Sequence, residues 1–296
     1  MLKQKTIKSV LNKHKKRDSW FLDEYSVNPY EGCSCNCLYC YVRGSKYGEN
    51  MEDGLAVKEN ISAVLEKQLQ SRANKKQYGI VAVGSSTDAY MPHEETLRMT
   101  QKVLQLLLKY RFPVFISTKR SLITRDIDLL KKIDTVAILP EDLQQRLNRG
   151  VVLSVSLSTM NECIAGIIEP GAIKPLERLQ LVKRLKEAGF LVGVNAIPLL
   201  PFISDTENEM EKIIASAKEY GADYILTGSL TLFGSEKANS KTLYYKFLER
   251  YDASMRPKYD QLFGNNFYVP FQYQNELKQK AVRLCIKYNI RNSLLS

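Results

Sequence analysis

The sequence predicts an α/β fold built on a parallel sheet. Two observations carry this. Short apolar runs rich in Val, Ile and Leu alternate with helical patterns of roughly 10–15 residues, as βαβ units do. Glycines and prolines punctuate most of the junctions between them. No fixed internal period is present, which excludes a repeat array. Six such units form either a complete doubly wound sheet or an open barrel. In both, the chemistry lies at the carboxyl ends of the strands.

The elements follow in order. Phe21 to Val27 reads as the first strand and Ile61 to Ser71 as its helix. Gly79-Ile80-Val81-Ala82-Val83-Gly84 is a buried strand by its unbroken apolar run. One helix is expected from Leu97 to Tyr110, with Val103, Leu104, Leu107 and Leu108 at helical spacing. Pro113 to Ser117 is the next strand and Ile123 to Ile133 its helix. Val151 to Leu157 is a strand, and Leu176 to Ala188 a helix closed by Gly189. Phe190 to Ile197 is a strand ended by Pro198 and Pro201. Asp205 is expected to cap a helix from Thr206 to Tyr220, with Ala222 to Thr227 the last strand. From about residue 238 the pattern changes to an aromatic-rich segment and a helical tail. This reads as a C-terminal extension packed on the body, its aromatics serving as core.

Composition bounds the function. The 296 residues are 44% hydrophobic and 25% charged, which excludes a disordered tail, a collagen-like fibre and a small disulfide scaffold. The net charge of +11 points weakly to an anionic partner. Its distribution matters more. Residues 1–20 carry Lys3, Lys5, Lys8, Lys13, Lys15, Lys16 and Arg17 against Asp18. Residues 276–296 carry Lys278, Lys280, Arg283, Lys287 and Arg291 against Glu276. The long stretch between is nearly neutral. The ends therefore either solubilise the chain or touch nucleic acid. The basic N-terminus lacks the apolar stretch of a signal peptide, and no apolar run is long enough to span a membrane. The expected place is the cytoplasm, where thiols stay reduced.

Four of six cysteines fall together: Cys33, Cys35, Cys37 and Cys40. Clustered thiols in a reducing compartment read as a metal site. Zinc sites usually draw their sulfurs from two separated knuckles, and no second Cys-rich element follows here. A single tight loop suits an iron–sulfur cluster better. The spacing Cys33-x3-Cys37-x2-Cys40 leaves one iron of a 4Fe–4S cube open, as catalysis needs. Cys35 is not required by that pattern and is either a spare thiol or a fourth ligand. Cys163 and Cys285 are expected to be buried small hydrophobes. His14 and His93 are expected to be exposed loop residues.

With Tyr39 directly before Cys40, this motif after a first strand resembles the radical S-adenosylmethionine (SAM) superfamily. Asn28-Pro29-Tyr30-Glu31-Gly32-Cys33 and Cys37-Leu38-Tyr39-Cys40-Tyr41 resemble its spore photoproduct lyase-like branch. So do Thr87 to Glu94, Thr118 to Asp126, Ile168 to Ala172 with Arg178-Leu179, and Ala196 to Pro201. The likeness spans roughly residues 12–230. It implies a partial (β/α)6 TIM-type barrel over residues 21–237, between a basic arm at 1–20 and the extension at 238–296. It implies a 4Fe–4S cluster on Cys33, Cys37 and Cys40 whose open iron binds SAM. Reductive cleavage would give a 5′-deoxyadenosyl radical that takes a hydrogen from the substrate. A reductant such as a ferredoxin or flavodoxin is the implied partner.

The resemblance also assigns residues around SAM. Tyr39 would lie near the adenine. Ser85, Ser86 and Asp88, in the stretch after the second strand, would meet the methionine moiety. Lys119 would contact the carboxylate, while Ser156 and Asn195 would bind ribose hydroxyls or carboxylate. Glu169 is read as a structural turn residue and Arg120 as a surface charge. One departure matters. In spore photoproduct lyase a cysteine beside the Ser/Thr-Asp motif returns a hydrogen atom to the product. Here Gly84-Ser85-Ser86-Thr87-Asp88 holds none, and a serine O–H is far harder to break homolytically. Cys35, Cys163 and Tyr90 are the other donors to consider. A nucleic-acid base is the leading substrate. The rival reading is a non-catalytic, metal-dependent nucleic-acid-binding protein with zinc or a structural cluster, and a third is an electron-transfer protein.

Overall fold

The structure is a computed structural model that describes residues 2–45 and 54–295. Two short strands, β1 (Lys3–Lys5) and β2 (Asn12–Lys13), precede the first central strand, β3 (Asp23–Val27). Strands β4 (Tyr30–Glu31) and β5 (Ala56–Lys58) follow. Helix α1 (Ile61–Asn74) leads to β6 (Ile80–Val83), and helices α2 (Glu94–Leu97) and α3 (Met99–Tyr110) to β7 (Val114–Thr118). Helix α4 (Ile127–Val136) leads to β8 (Val151–Ser156). Helices α5 (Glu162–Ile168) and α6 (Pro175–Glu187) lead to β9 (Leu191–Leu199), and α7 (Glu207–Glu219) to β10 (Tyr224–Ser229). Helices α8 (Ser240–Tyr251), α9 (Met255–Phe263) and α10 (Phe271–Lys287) complete the chain.

Strands β3 and β6 to β10 lie side by side in chain order, and all their pairings are parallel. Strand β2 adds antiparallel to the outer edge of β3, and β1, β5 and β4 form a small separate sheet. The six-stranded sheet curls until its two ends approach. A Cβ on Gly228 of β10 would lie 2.7 Å from the ring of Trp20, just before β3. Leu22 joins Tyr224 and Leu226 in one inner cluster. Among the described residues β10 and β3 are not paired, so the barrel is partial.

The period of two along each strand sorts its side chains. Val81, Val83, Ile116, Leu153, Val155 and Val192 face the helices and meet Val103, Leu107, Val182 and Leu185 in the main core. Each such burial stabilises by roughly 1.5–3 kcal/mol. Ile80, Ala82, Phe115, Val152 and Leu226 turn inward with Leu143, Leu147 and Leu294. Toward the carboxyl ends of the strands the side chains that meet one another become polar, with Ser117, Ser156 and Asn195 joined across β7, β8 and β9. The barrel therefore has an apolar floor and a polar mouth.

Several local expectations are corrected. The helix expected from Leu97 to Tyr110 is interrupted at Arg98, whose φ is +52°. The cause is tertiary: the buried Glu94 carboxylate accepts from the N–H groups of Thr100 at 2.9 Å and Gln101 at 3.2 Å, and so caps α3 from outside. Strand β9 runs through Pro198 to Leu199. Thr206, not Asp205, caps α7, accepting from Glu209 N–H at 3.4 Å. Asp205 instead accepts from Phe202 N–H at 2.7 Å and from the Tyr273 hydroxyl. Cys163 is exposed on α5, whereas Cys285 is buried. Neither histidine is a free loop residue: His14 lies 3.2 Å from Asp23, and His93 is half-buried at the start of α2. The aromatics of the extension divide, with Tyr244, Tyr245, Phe247 and Phe263 buried and Tyr251, Phe267, Tyr268 and Phe271 exposed.

Candidate active site

The cysteine loop leaves β4 and is pinned from three sides. Thr87 donates its hydroxyl to the Gly32 carbonyl at 2.5 Å. Leu38 N–H donates to the Ile168 carbonyl at 2.8 Å, and Gly171 N–H to the Cys35 carbonyl at 3.0 Å. Tight turns at Cys33–Asn36 and Cys37–Cys40 fold the loop on itself, with Asn36 at φ +51°. Gly171 shows why no larger residue fits: a Cβ there would lie 1.9 Å from the Ser34 carbonyl oxygen. Cys35 and Cys37 are buried, and Cys33 and Cys40 half-buried. The loop packs under Ile164, Ile168, Tyr244 and Phe247, so α5 and the C-terminal extension roof it.

Asp88 fastens the loop to the barrel mouth. One oxygen accepts from the Thr118 hydroxyl at 2.8 Å and Tyr90 N–H at 2.9 Å. The other accepts from Lys119 N–H at 2.8 Å and lies 3.7 Å from the Cys35 thiol. The Asp88 N–H itself points at Cys33 Sγ, 3.3 Å away. Its carboxylate is thus largely taken up by the chain. Asn28 bridges to the neighbouring turn, donating to Ser85 Oγ at 3.2 Å and accepting from Ser86 N–H at 2.9 Å. Ser85 is exposed and Ser86 half-buried.

A second buried network meets the loop at Tyr39. Tyr39 is buried, and its hydroxyl donates to Glu169 and meets Ser158 Oγ at 2.9 Å. Glu169 is ion-paired with Arg178 at 2.6 Å and lies 3.8 Å from the Lys119 ammonium. Burial alone would push Lys119 down, but the negative charges of a Cys37 thiolate and of Glu169 outweigh it and hold it above the usual lysine range. Burial pushes the Cys37 and Cys40 thiols up, against the pull of Lys119. The Cys33 hydrogen bond and then burial push Cys35 up further. Metal ligation must therefore displace protons from this loop.

The donor set suits a thiolate-ligated cluster. Three thiols hold the Cys-x3-Cys-x2-Cys spacing on one rigid loop, with Lys119 beside them as a compensating cation. Among the described residues no three Cys, His, Asp or Glu side chains converge as they would about a single ion. A cube whose irons spread over several ångströms does not need that convergence.

At the mouth, Ser117 and Ser156 hydroxyls meet at 3.0 Å, and Asn195 donates to Ser117 Oγ at 3.3 Å. Asn195 Oδ1 is buried and has no partner among the described residues, so the row presents an unused acceptor. Arg120 is half-buried, and its Nε is likewise unpartnered. The structure thus brings Cys33, Cys35, Cys37, Cys40, Asp88 and Lys119 together. Tyr39 bonds Glu169, whereas Ser85 and Ser86 bond Asn28. Sequence reasoning missed the Glu169–Arg178 pair, Ser117, Arg43 and Gly171. The one available signal was two charges, Glu169 and Arg178, inside segments otherwise patterned for burial. Of the other hydrogen donors considered, Tyr90 is fully buried and Cys163 lies on the surface.

The chain is similar to known proteins in sequence and in fold. An uncharacterized protein of Mycobacterium tuberculosis is 27% identical over 272 residues, covering 90% of this chain and 75% of its own. A radical SAM Nα-GlyT isomerase of Pseudomonas phage M6 is 23% identical over 208 residues, covering 70% of this chain and 39% of its own. A point mutant of spore photoproduct lyase, solved with dinucleoside spore photoproduct, superposes with a TM-score of 0.65. It shares 14% identity, over 93% of this chain and 78% of that one, which supports the fold. The family model of the radical SAM superfamily matches residues 27–217, from the end of β3 into α7. The chain belongs to the radical SAM superfamily.

Proposed function

We propose that this protein binds a 4Fe–4S cluster on Cys33, Cys37 and Cys40 and uses it to cleave SAM reductively. The observation that carries the reading is one rigid loop holding three thiols at the mouth of a partial barrel, beside a polar rim. With cluster and SAM bound, one-electron reduction would supply a 5′-deoxyadenosyl radical for hydrogen abstraction.

The chain's own residues position and shield. The Lys119 ammonium, held protonated, is the cation for the SAM carboxylate. Asp88 places Lys119 through its backbone N–H, and the turn at Ser85 and Ser86 offers polar groups to the methionine moiety. Asn195 Oδ1, unpartnered among the described residues, would accept from a ribose hydroxyl, and Ser156 lies beside it in register on β8. Glu169 fixes the Tyr39 hydroxyl, which leaves the Tyr39 backbone to face the adenine. The apolar floor excludes water from a reactive centre. A ferredoxin- or flavodoxin-type protein would deliver the electron.

The substrate we favour is a nucleic-acid base. One structural relative was solved with a dinucleoside photoproduct, and Lys8, Lys13, Lys15 and Lys16 stand exposed on the N-terminal segment. The test is anaerobic reconstitution, reduction with dithionite and chromatography after adding SAM. 5′-Deoxyadenosine should appear, and Cys33→Ala should abolish it. About one zinc per chain with no iron or sulfide, or no cleavage by a fully loaded protein, would overturn the reading.

A further inference from the structure

We propose that Arg43 is the buried counter-charge of the cysteine loop, a positioning residue that raises the reduction potential of the cluster and secures its retention. The inference rests on the cluster reading above. Arg43 is 2% exposed and among the largest fully buried side chains. A buried guanidinium needs an anion or complete hydrogen bonding. The other buried arginine, Arg178, pairs with Glu169, and even the half-buried Arg125 pairs with Glu94 and Asp126.

Arg43 has none among the described residues. Its Nε donates to the Cys37 carbonyl at 3.1 Å, its Nη2 to Asn36 Oδ1, and its Nη1 to the Ala238 carbonyl at 3.4 Å. All three acceptors are neutral, and two belong to the loop itself. The Arg43 N–H closes a turn on the Cys40 carbonyl at 3.0 Å, so the cation is held against the Cys37–Cys40 half of the loop. The missing negative charge is then that of the ligating thiolates. A one-electron reduction adds a further negative charge to the cluster. A fixed cation in a dry setting favours that state and shifts the potential upward. The carbonyl of Arg43 also accepts from Ser240 Oγ at 3.3 Å, which ties the loop to α8. Charge and clamp can therefore be separated.

The experiment measures iron, sulfide and midpoint potential by electron paramagnetic resonance (EPR) titration on anaerobically reconstituted protein. The wild type comes first: if it binds no iron, the cluster reading fails, whereas unchanged variants of a loaded protein sink only the Arg43 assignment. Arg43→Gln should lower the potential by about 59 mV, a tenfold change in the one-electron equilibrium, or lose iron while keeping its far-ultraviolet dichroism. Arg43→Lys keeps the charge and Ser240→Ala keeps the guanidinium, so both should stay near wild type. An unchanged Arg43→Gln, or an equal shift in Ser240→Ala, overturns the inference. If Arg43→Gln does not fold, Asn36→Asp decides. It sets a carboxylate against the guanidinium at an exposed, left-handed position that Asp tolerates. A potential unchanged by Asn36→Asp is then the overturning result.

Discussion

Under the proposed function, Cys35 and its three neighbours differ in role. Cys33, Cys37 and Cys40 would supply the cluster ligands, while Cys35 Sγ lies 3.7 Å from the Asp88 carboxylate. Single alanine variants at the first three should lose the brown chromophore and its iron. Cys35→Ala should keep both, as read by iron and sulfide assays. Asp23 gives a residue-scale test of the arm. Burial, eased in part by His14 3.2 Å away, pushes its carboxyl up to about 6. An acid raised in the folded state favours folding at low pH. That contribution is present below about pH 4 and is lost as pH rises through 6. Asp23→Asn should therefore stabilise the protein above pH 6, by at most about 3 kcal/mol, and give no gain near pH 4. Urea unfolding at the two pH values reads the difference.

At the scale of elements, the strands were legible in the sequence because their apolar runs are continuous. Val81, Ile116, Leu153 and Val192 are buried by helices on one side and neighbours on the other. The break at Arg98 was not legible, because its cause, Glu94, is set by Tyr30 and Arg125 from distant segments. The cysteine spacing was legible for the opposite reason, since a short loop must carry its ligands locally. The turn that holds that loop was not. Gly171 looks like any Glu-Pro-Gly corner until its contact with Ser34 is seen. Gly171→Ala forces a Cβ to 1.9 Å from a backbone oxygen, so the loop must shift. The expected outcome is a folded protein with strongly reduced iron occupancy, measured by iron analysis beside a melting curve.

Across the whole molecule, the +11 charge resolves differently from its appearance in the sequence. At the C-terminus four of the five basic residues turn back onto the fold, Lys278 staying exposed: Lys280 to the Asp205 carbonyl, Arg283 and Lys287 to Glu207 and Glu211 on α7, and Arg291 to the Asp223 carbonyl. The acidic residues of α7 explain Arg283 and Lys287, and a one-dimensional reading of charge cannot see that pairing. At the N-terminus β1 and β2 join sheets, Lys5 pairs with Glu31, and Arg17 with Glu24 and Asp142. Lys8, Lys13, Lys15 and Lys16 remain exposed. Glutamine at these four should weaken duplex binding and flatten its salt slope by about 0.9 per lysine that touches phosphate. An unchanged slope would make them solubilising charges.

The central claim is that three thiolates leave one iron open to SAM. EPR spectra of the reduced, reconstituted protein with and without SAM test it most directly. The predicted result is a 4Fe–4S signal that changes on adding SAM and remains SAM-responsive in Cys35→Ala. A signal unmoved by saturating SAM would mean a fully ligated cluster and would contradict it.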